Sequence, residues 1–119
     1  MSNSLTLFLD ENKLFDADTI RIIIEQLGDY RENDISSDIS EFEYCSTGKF
    51  PGRHVSLDLE FKFLWLDYDV FSIETAWAIA KAYPEQLQIF DEAYSFHYQM
   101  NDFTTCEELK EALGFKANG

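Results

Sequence analysis

Asp58, Glu60 and Lys62 are the residues of this sequence whose types and spacing come nearest to a catalytic arrangement. They occupy alternate positions, so on an extended strand their side chains would share one face. Two carboxylates can hold a divalent cation through hard oxygen ligands, and a neighbouring lysine can help to activate water. Three charged residues on the outward face of any strand give this pattern by chance, so the chemical signal is weak.

The remainder of the sequence argues against catalysis. The chain carries 23 Asp and Glu against 9 Lys and Arg, a net charge of -14, so a nuclease built from it would repel its own substrate. His54 and His97 have no Ser, Cys or second His at a spacing that suggests a nucleophile or a metal site. The glycines are scattered singly, which excludes a glycine-rich phosphate loop. We therefore predict no enzyme, no cofactor and no metal site.

The length and composition indicate one folded domain covering residues 1–119. The chain contains 11 Phe, 6 Tyr and 2 Trp, an aromatic content that excludes a disordered acidic tail. Such a strongly negative protein repels nucleic acid and anionic membranes and attracts basic partners. Its charge exceeds the roughly 2 to 8 that solubility alone requires of a small domain, which favours a functional role for the acids.

Cys45 and Cys106 are the only cysteines, and neither belongs to a CxxC or metal-binding pattern. We interpret them as thiols in a reducing compartment. The N-terminus lacks the basic region of a signal peptide, and no apolar run has the length of a membrane span. A cytoplasmic location is the expectation.

The most regular pattern in the chain is the segment Glu41–Leu66, which predicts a hairpin. Its first strand, 41–46, alternates so that Phe42 and Tyr44 point into the core. The glycines and proline of residues 47–54 suit the connection between the strands. Val55–Trp65 then predicts one long strand whose core face is formed by Val55, Leu57, Leu59, Phe61, Phe63 and Trp65.

The opposite face of this predicted hairpin is acidic. Glu41 and Glu43 would lie beside Asp58 and Glu60, so four carboxylates would share one solvated surface. Like charges directly opposite one another across a ladder destabilise a sheet. A sequence seldom needs such a surface merely to fold, which indicates a role in binding.

The other elements follow from periodicity and from capping residues. Before the hairpin we predict a strand at Leu5–Leu9, a helix capped by Asp16 or Asp18 and ended by Gly28, and an exposed acidic loop over residues 29–40. After the hairpin we predict a helix capped by Ser72 and ended by Pro84, followed over Pro84–Ala93 by a helical turn or a short strand, with helix favoured. The chain then continues with a strand at Tyr94–Met100 and a helix that is opened by a Thr105/Glu108 capping box and ended by Gly114. This order predicts an α+β domain: a mostly antiparallel sheet with helices packed on one face.

The acidic residues of the loop and the hairpin are the predicted partner-binding residues. Carboxylates at alternate strand positions lie about 6.7 Å apart, a spacing comparable to that of successive backbone phosphates, so a row of them can compete with DNA for a basic groove. The candidates are Asp29, Glu32, Asp34, Asp38, Glu41, Glu43, Asp58 and Glu60. The acidic helix around Glu107, Glu108 and Glu111 is the alternative surface.

In size, acidity and α+β pattern the chain resembles the small bacterial DNA-mimic proteins. The resemblance covers the whole chain but rests on no specific motif, so it assigns a role to no individual residue. It implies a monomer that places its acidic side chains in the DNA-binding region of a basic protein, with the histone-like nucleoid protein HU as the favoured partner. Lys49, Arg53 and Lys62 lie near the predicted acidic surface and depart from a uniformly anionic mimic.

The main alternative is an immunity or anti-defence protein that inhibits one nuclease or restriction enzyme. Such a protein would use the same acidic surface against a single cognate partner. Its affinity would depend on shaped aromatic anchors as much as on charge.

Overall fold

The computed structural model describes residues 4–10, 13–33, 40–47, 52–83, 87–91 and 97–115. In chain order these residues form β1 (Ser4–Leu9), α1 (Ala17–Leu27), β2 (Tyr30–Asn33), β3 (Ser40–Ser46), β4 (His54–Asp58), β5 (Phe63–Asp67), α2 (Val70–Ala80), β6 (Leu87–Asp91), β7 (His97–Gln99), a 3-10 turn (Met100–Asp102) and α3 (Cys106–Ala112). The strands form one sheet in the order β2-β3-β4-β5-β1-β6-β7, and every neighbouring pair is antiparallel.

One face of this sheet, called the inner face, packs against the three helices. Alternate residues of β1, the strand between β5 and β6, point to it, among them Leu5 and Leu7, which are fully buried. Helix residues such as Ile20, Ile73 and Leu109 belong to the same core cluster. The opposite side of the sheet is called the outer face. The arrangement confirms the predicted α+β class, with an antiparallel sheet and helices on one face.

Local capping signals place both ends of α1 where the sequence predicted them. The Asp16 carboxylate accepts hydrogen bonds from the Thr19 backbone N–H and hydroxyl, at 3.2 and 2.5 Å. Gly28 ends the helix with a φ of 75°, a left-handed conformation that glycine adopts without steric cost.

The capping box of α3 is also confirmed. The Thr105 hydroxyl accepts from the Glu108 backbone N–H, and the Glu108 carboxylate accepts from the Thr105 N–H, both at 3.2 Å. Each side chain therefore satisfies a backbone donor that the first helical turn leaves unpaired. Within the described ranges, no helix combines the length and apolar character needed to cross a membrane.

The predicted cap of α2 is wrong. Asp69 caps this helix, and its carboxylate accepts from the Ser72 backbone N–H at 2.8 Å. Ser72 lies inside the first turn and is fully buried. Asp69 is stabilised at the cap position by a further contact, an ion pair with Arg53 from an earlier part of the chain.

The predicted acidic loop over residues 29–40 is wrong over its first part, because Tyr30–Asn33 forms the edge strand β2. Tyr30 anchors the strand to the helix layer: its ring stacks on Phe71 with centroids 5.6 Å apart, and its hydroxyl is hydrogen-bonded to Thr75 Oγ1 at 3.0 Å. These contacts join residues far apart in sequence, so local polarity predicts a loop where tertiary packing makes a strand. Residues 34–39 lie outside the described part of the chain.

The predicted strand Val55–Trp65 is two strands, β4 and β5, joined by a turn at residues 59–62. Phe61 has a φ of 61°, which is uncommon for a non-glycine residue. Tertiary contacts hold it there, since its carbonyl accepts from the Phe15 N–H at 2.8 Å and its side chain packs against the core. Leu59, predicted to be buried, is 47 % exposed in this turn.

The turn reverses which residues of the second strand are buried. Leu64 and Leu66 point to the inner face and are 0 % and 2 % exposed, whereas Phe63 and Trp65 are half-buried on the outer face. The register agrees, because Leu64 pairs with both Leu7 and Leu57 of the core. The predicted core positions for Phe63 and Trp65 are therefore wrong, since a tight turn breaks the period of two.

Asp58 stabilises this turn directly. Its side chain accepts from the backbone N–H groups of Lys62 and Phe63, at 2.7 and 3.1 Å. We expect Asp58→Ala to lower the free energy of unfolding by about 1–2 kcal/mol, because two backbone donors lose their acceptor. Asp58→Asn keeps one acceptor oxygen and should cost less. Urea unfolding of both variants checks this, and an unchanged midpoint for Asp58→Ala would contradict it.

The helical preference for Pro84–Ala93 is wrong, because Leu87–Asp91 forms the strand β6 between β1 and β7. Leu87 and Ile89 face the core at 1 % and 0 % exposure. Pairing with strands on both sides satisfies its backbone, which a short isolated helical turn could not match. The predicted strand Tyr94–Met100 is confirmed for His97–Gln99, and its residues 94–96 lie outside the described ranges.

Candidate partner-binding surface

The outer face of the sheet brings together three of the predicted binding residues. Glu41 and Glu43 alternate with the buried Phe42 on β3, so both point outward. Asp58 points outward from the neighbouring strand β4, and Glu60 follows in the adjoining turn, with 67 % of its side chain exposed. These four residues are called the acidic strip. No outward position of β3 or β4 carries Lys or Arg.

The acids of the strip do not oppose each other directly across the ladder, as the sequence had suggested. Glu43 pairs with Ser56, and Asp58 pairs with Ser40. The register shifts between Ser40 and Phe42, so Glu41 lies at an irregularity of the strand. The offset removes the closest like-charge contacts, which lets the carboxylates share a face at limited cost in stability.

The other predicted binding residues are not part of the strip. Asp29 lies between α1 and β2, where its backbone carbonyl accepts from the Thr47 N–H at 2.7 Å. Glu32 pairs with Tyr44 in the register and therefore lies on the inner side of the edge strand β2, near α1. Asp34 and Asp38 lie outside the described residues. The predicted binding residues that the structure describes therefore do not all lie on one surface.

His54 lies on the outer face between two carboxylates. Its Nε2 is 3.7 Å from Glu43 Oε1, and its Nδ1 is 3.6 Å from Asp67 Oδ2. Asp67 also accepts from the His54 backbone N–H at 2.6 Å. The sequence prediction had missed Asp67 as an outward acid beside the strip. The His54 ring therefore links Glu43 of the acidic strip with Asp67 on the outer face.

Cys45 pairs with His54 across β3 and β4, which brings a thiol close to an imidazole. The geometry does not suit nucleophilic catalysis, however. Both ring nitrogens of His54 face carboxylates, and the Cys45 thiol donates to the Ser46 carbonyl at 3.7 Å. A general base must be within reach of the proton that it removes, and here the ring is oriented elsewhere.

The Asp58, Glu60 and Lys62 pattern does not form a metal-binding row either. Only Asp58 belongs to a strand; Glu60 and Lys62 are turn residues that face each other at 3.7 Å. Asp58 Oδ1 is occupied by the turn's backbone donors. Among the residues that the structure describes, no group of three or more His, Cys, Asp or Glu is placed to hold a metal ion.

Four aromatic residues cross the outer face beside the acidic strip, on strands β5, β1 and β6. They are called the aromatic strip and are Phe8, Phe63, Trp65 and Phe90. The Phe8 ring lies 6.3 Å from Phe63 and 5.3 Å from Phe90, centroid to centroid. His97 of β7 extends the group, 5.7 Å from Phe8. Phe8, Phe63 and Trp65 are half-buried on this face, whereas Phe90 is buried, with 9 % of its surface exposed.

The sequence prediction had missed this strip because apolar side chains were assigned to the core. One signal was available: Phe63-Leu64-Trp65-Leu66 is apolar at every position, and such a run is typical of a strand with both faces in apolar contact. In this protein the helices cover one of those faces. The other face carries the acidic strip along β3 and β4, on one side of these aromatic residues.

Comparison with known proteins does not assign the chain to a family. No family model matches it, and no curated protein or solved structure matches it. Its function must therefore be inferred from the surface that the fold creates.

A second feature of the surface lies on the helix side of the molecule. It is a concavity of about 230 Å³ lined by Trp77, Ala80, Lys81, Met100, Asn101 and Phe103. Among the described residues its lining is mainly apolar, with Lys81 as the one charged member, so these residues provide no acid–base pair for catalysis. It lies away from the acidic strip and provides control positions for tests of the outer face.

Proposed function

We propose that this protein is a non-enzymatic DNA mimic of the cytoplasm, which occupies the DNA-binding region of a basic protein with its acidic outer face. HU, the nucleoid protein implied by the resemblance to DNA mimics, is the favoured partner. The observation that carries the proposal is the acidic strip: adjacent strands present carboxylates on a face whose outward β3 and β4 positions lack Lys and Arg.

The spacing of the carboxylates supports competition with DNA. Glu41 and Glu43 are two residues apart on β3, a separation of about 6.7 Å along the strand. Asp58 lies on the neighbouring strand, about 4.8 Å away. Duplex DNA also presents closely spaced anions, about one per 1.7 Å of axis over both strands. A basic groove that binds phosphates can therefore form several ion pairs with this face at once.

The acidic residues outside the strip attract the partner from a distance and do not contact it. A net charge of -14 attracts a cationic protein from a distance and raises the association rate at low ionic strength. Many individual acids have local structural roles, such as the caps formed by Asp16 and Asp69. The Glu41 carboxylate, in contrast, forms no hydrogen bond or ion pair with another described side chain or backbone group. Such a carboxylate is available to a partner.

The test of this proposal is displacement of a labelled DNA duplex from purified HU. The wild-type protein should displace the duplex. A triple variant, Glu41→Gln, Glu43→Gln and Glu60→Gln, should need roughly tenfold more protein, since losing several interfacial charges costs about 1.4 kcal/mol in total. Asp58 is left unchanged because it stabilises the turn between β4 and β5.

A matched control separates contact from overall charge. The variant Glu25→Gln, Glu107→Gln and Glu111→Gln removes the same number of charges from exposed positions on α1 and α3, and it also tests the alternative acidic surface on α3. We expect it to change displacement by less than about threefold, through steering alone. Equal losses in the two triple variants would show that the strip has no special role. Failure of the wild-type protein to displace DNA from HU would contradict the choice of HU.

The aromatic strip favours a second candidate, an inhibitor of one nuclease or restriction enzyme. Tight complexes with a single cognate partner depend on aromatic anchors near the centre of the interface, and Trp65 lies beside the acidic strip in such a position. The two candidates differ in their readout. A nuclease inhibitor would block cleavage by its cognate enzyme and leave the complex of HU with DNA intact.

A further inference from the structure

The aromatic strip and the acidic strip are parts of one continuous surface. In the register, Trp65 pairs with Ser56, which in turn pairs with Glu43. Neighbouring strands are about 4.8 Å apart, so Trp65 lies about 10 Å from Glu43 across the sheet. Phe63 lies on the strand next to Asp58, at the other end of the turn. A single segment of a partner would touch both strips.

We propose that the aromatic strip is the apolar half of the binding surface, and that it receives apolar side chains from the same basic protein that the acidic strip attracts. This inference rests on the proposed function and deepens it. The partner it fits is a protein segment in which apolar side chains lie next to arginine or lysine. The acidic strip imitates the charge of DNA, whereas the aromatic strip has no counterpart in the DNA backbone and binds the partner through apolar contacts.

Charge identifies the partner as a protein. Nucleic-acid bases also stack on exposed aromatic rings, but their phosphates would then lie against Glu43 and Asp58 and be repelled. A basic protein satisfies both strips, because arginine pairs with carboxylates and its planar guanidinium also stacks on tryptophan. A second copy of this chain is disfavoured, since two surfaces of the same negative sign would meet.

A concavity at one end of the aromatic strip suits an apolar anchor. It measures about 300 Å³, and its walls include Phe8, Phe63 and Leu14, the last of which is 51 % exposed. Lys13, Lys62 and Asp10 stand at the same concavity, and the Asp10 carboxylate already accepts a hydrogen bond from the Gln99 side chain. Among the described lining residues, cationic groups outnumber the carboxylate, which favours an apolar side chain at this end while the partner's basic residues face the acidic strip. The surface thereby gives the partner one orientation.

The two tryptophans of the chain provide the test. Both are half-buried, Trp65 on the outer face and Trp77 on the helix layer beside the other concavity. In the displacement experiment with purified HU, Trp65→Ala should weaken the protein roughly tenfold, as is typical of a central aromatic anchor. Trp77→Ala should change it by less than about twofold. Trp65→Gln provides a second variant, and circular dichroism confirms that each variant is folded.

Fluorescence locates the contact independently of affinity. In Trp77→Phe the remaining reporter is Trp65, whose emission should shift to shorter wavelength when HU covers it. In Trp65→Phe the remaining reporter is Trp77, whose emission should not move. The difference spectrum between mixed and separate samples removes the contribution of HU itself.

The possible results separate this inference from the proposed function. If wild-type protein displaces DNA and Trp65→Ala performs equally well, the aromatic strip is not part of the interface and the inference fails alone. If wild-type protein displaces no DNA from HU, the choice of HU as partner fails, and the inference for that partner fails with it. Dimerisation of wild-type protein that Trp65→Ala abolishes, measured by sedimentation velocity, would assign the strip to a second copy and overturn the inference.

Discussion

Leu64→Gln is expected to lower the free energy of unfolding by about 2.5–6 kcal/mol. Leu64 is fully buried between β1 and β4, and removing a buried leucine from the core forfeits roughly 1.5–3 kcal/mol of hydrophobic stabilisation. The introduced amide would also be buried without a partner, which adds about 1–3 kcal/mol. Since small domains have a total stability of about 5–15 kcal/mol, this variant should be close to unfolding.

The neighbouring substitution Trp65→Gln is the matched comparison. Trp65 is half-buried on the outer face, so the same amide placed there reaches water and adds no desolvation cost. We expect a smaller loss of stability than for Leu64→Gln, by at least about 1 kcal/mol. Leu64→Met should cost less than about 1.5 kcal/mol, because it conserves apolar volume. Urea unfolding measures all three.

The comparison tests which side of β5 is buried. If Trp65→Gln were the more damaging change, the odd-numbered positions would form the core and one continuous strand would run through residues 55–65. The opposite order of effects supports the turn at 59–62 and the aromatic strip that it creates. The binding tests of Trp65 depend on this result, because only an outer residue can be removed without disturbing the core.

Local signals predicted those elements whose stabilising contacts are themselves local. Asp16 and Gly28 define the ends of α1, and Thr105 with Glu108 opens α3, because each cap joins residues at most a few positions apart. The break between β4 and β5 was not predictable in this way. Leu59 and Phe61 continue the alternation of the strand, and Asp58 fits its polar face, so the local pattern hides the turn. The Asp58 side chain stabilises the turn from nearby, and a contact from Phe15, which is distant in sequence, holds Phe61 in place.

The candidate site was predictable where strand alternation alone decides it. Glu41 and Glu43 are outward because Phe42 between them is inward, and no tertiary information is needed. Glu32 required the register: it pairs with Tyr44 and so falls on the inner side. The aromatic strip depends on which face of the sheet the helices cover. The pattern of apolar residues does not indicate that face, because the odd and the even positions of β5 are both apolar.

Alkaline unfolding should depend strongly on Tyr30. Burial raises the pKa of Tyr30 from 10.0 to about 12, and nearby carboxylates, Asp69 first among them, add to the shift. In the unfolded chain the phenol ionises near its ordinary pKa. The stabilising contribution of the neutral phenol is therefore fully present below pH 10 and is lost as the pH rises through about 12. Over this window the loss amounts to about 2.7 kcal/mol, at about 1.4 kcal/mol per pH unit.

Tyr30→Phe removes this titration and gives the test. At neutral pH it should cost about 1 kcal/mol, because the hydrogen bond to the buried Thr75 hydroxyl is lost. Between pH 10 and 12 its stability should fall less steeply than that of the wild-type protein. The two curves should therefore converge and then cross, because the wild-type loss of about 2.7 kcal/mol exceeds the initial difference of about 1 kcal/mol. Burial also raises the pKa of Tyr44 and of Tyr68, so some slope remains.

A core variant without a phenol distinguishes titration from general weakening. Ile24 is fully buried, and Ile24→Val should cost about 0.5–1.5 kcal/mol at every pH without changing the slope. Urea unfolding of the three proteins from pH 7 to pH 12 supplies the curves. Parallel curves for wild-type protein and Tyr30→Phe would mean that the phenol ionises as readily in the folded state as in the unfolded one. The stacking of Tyr30 between β2 and α2 would then be looser than its contacts with Phe71 and Thr75 indicate.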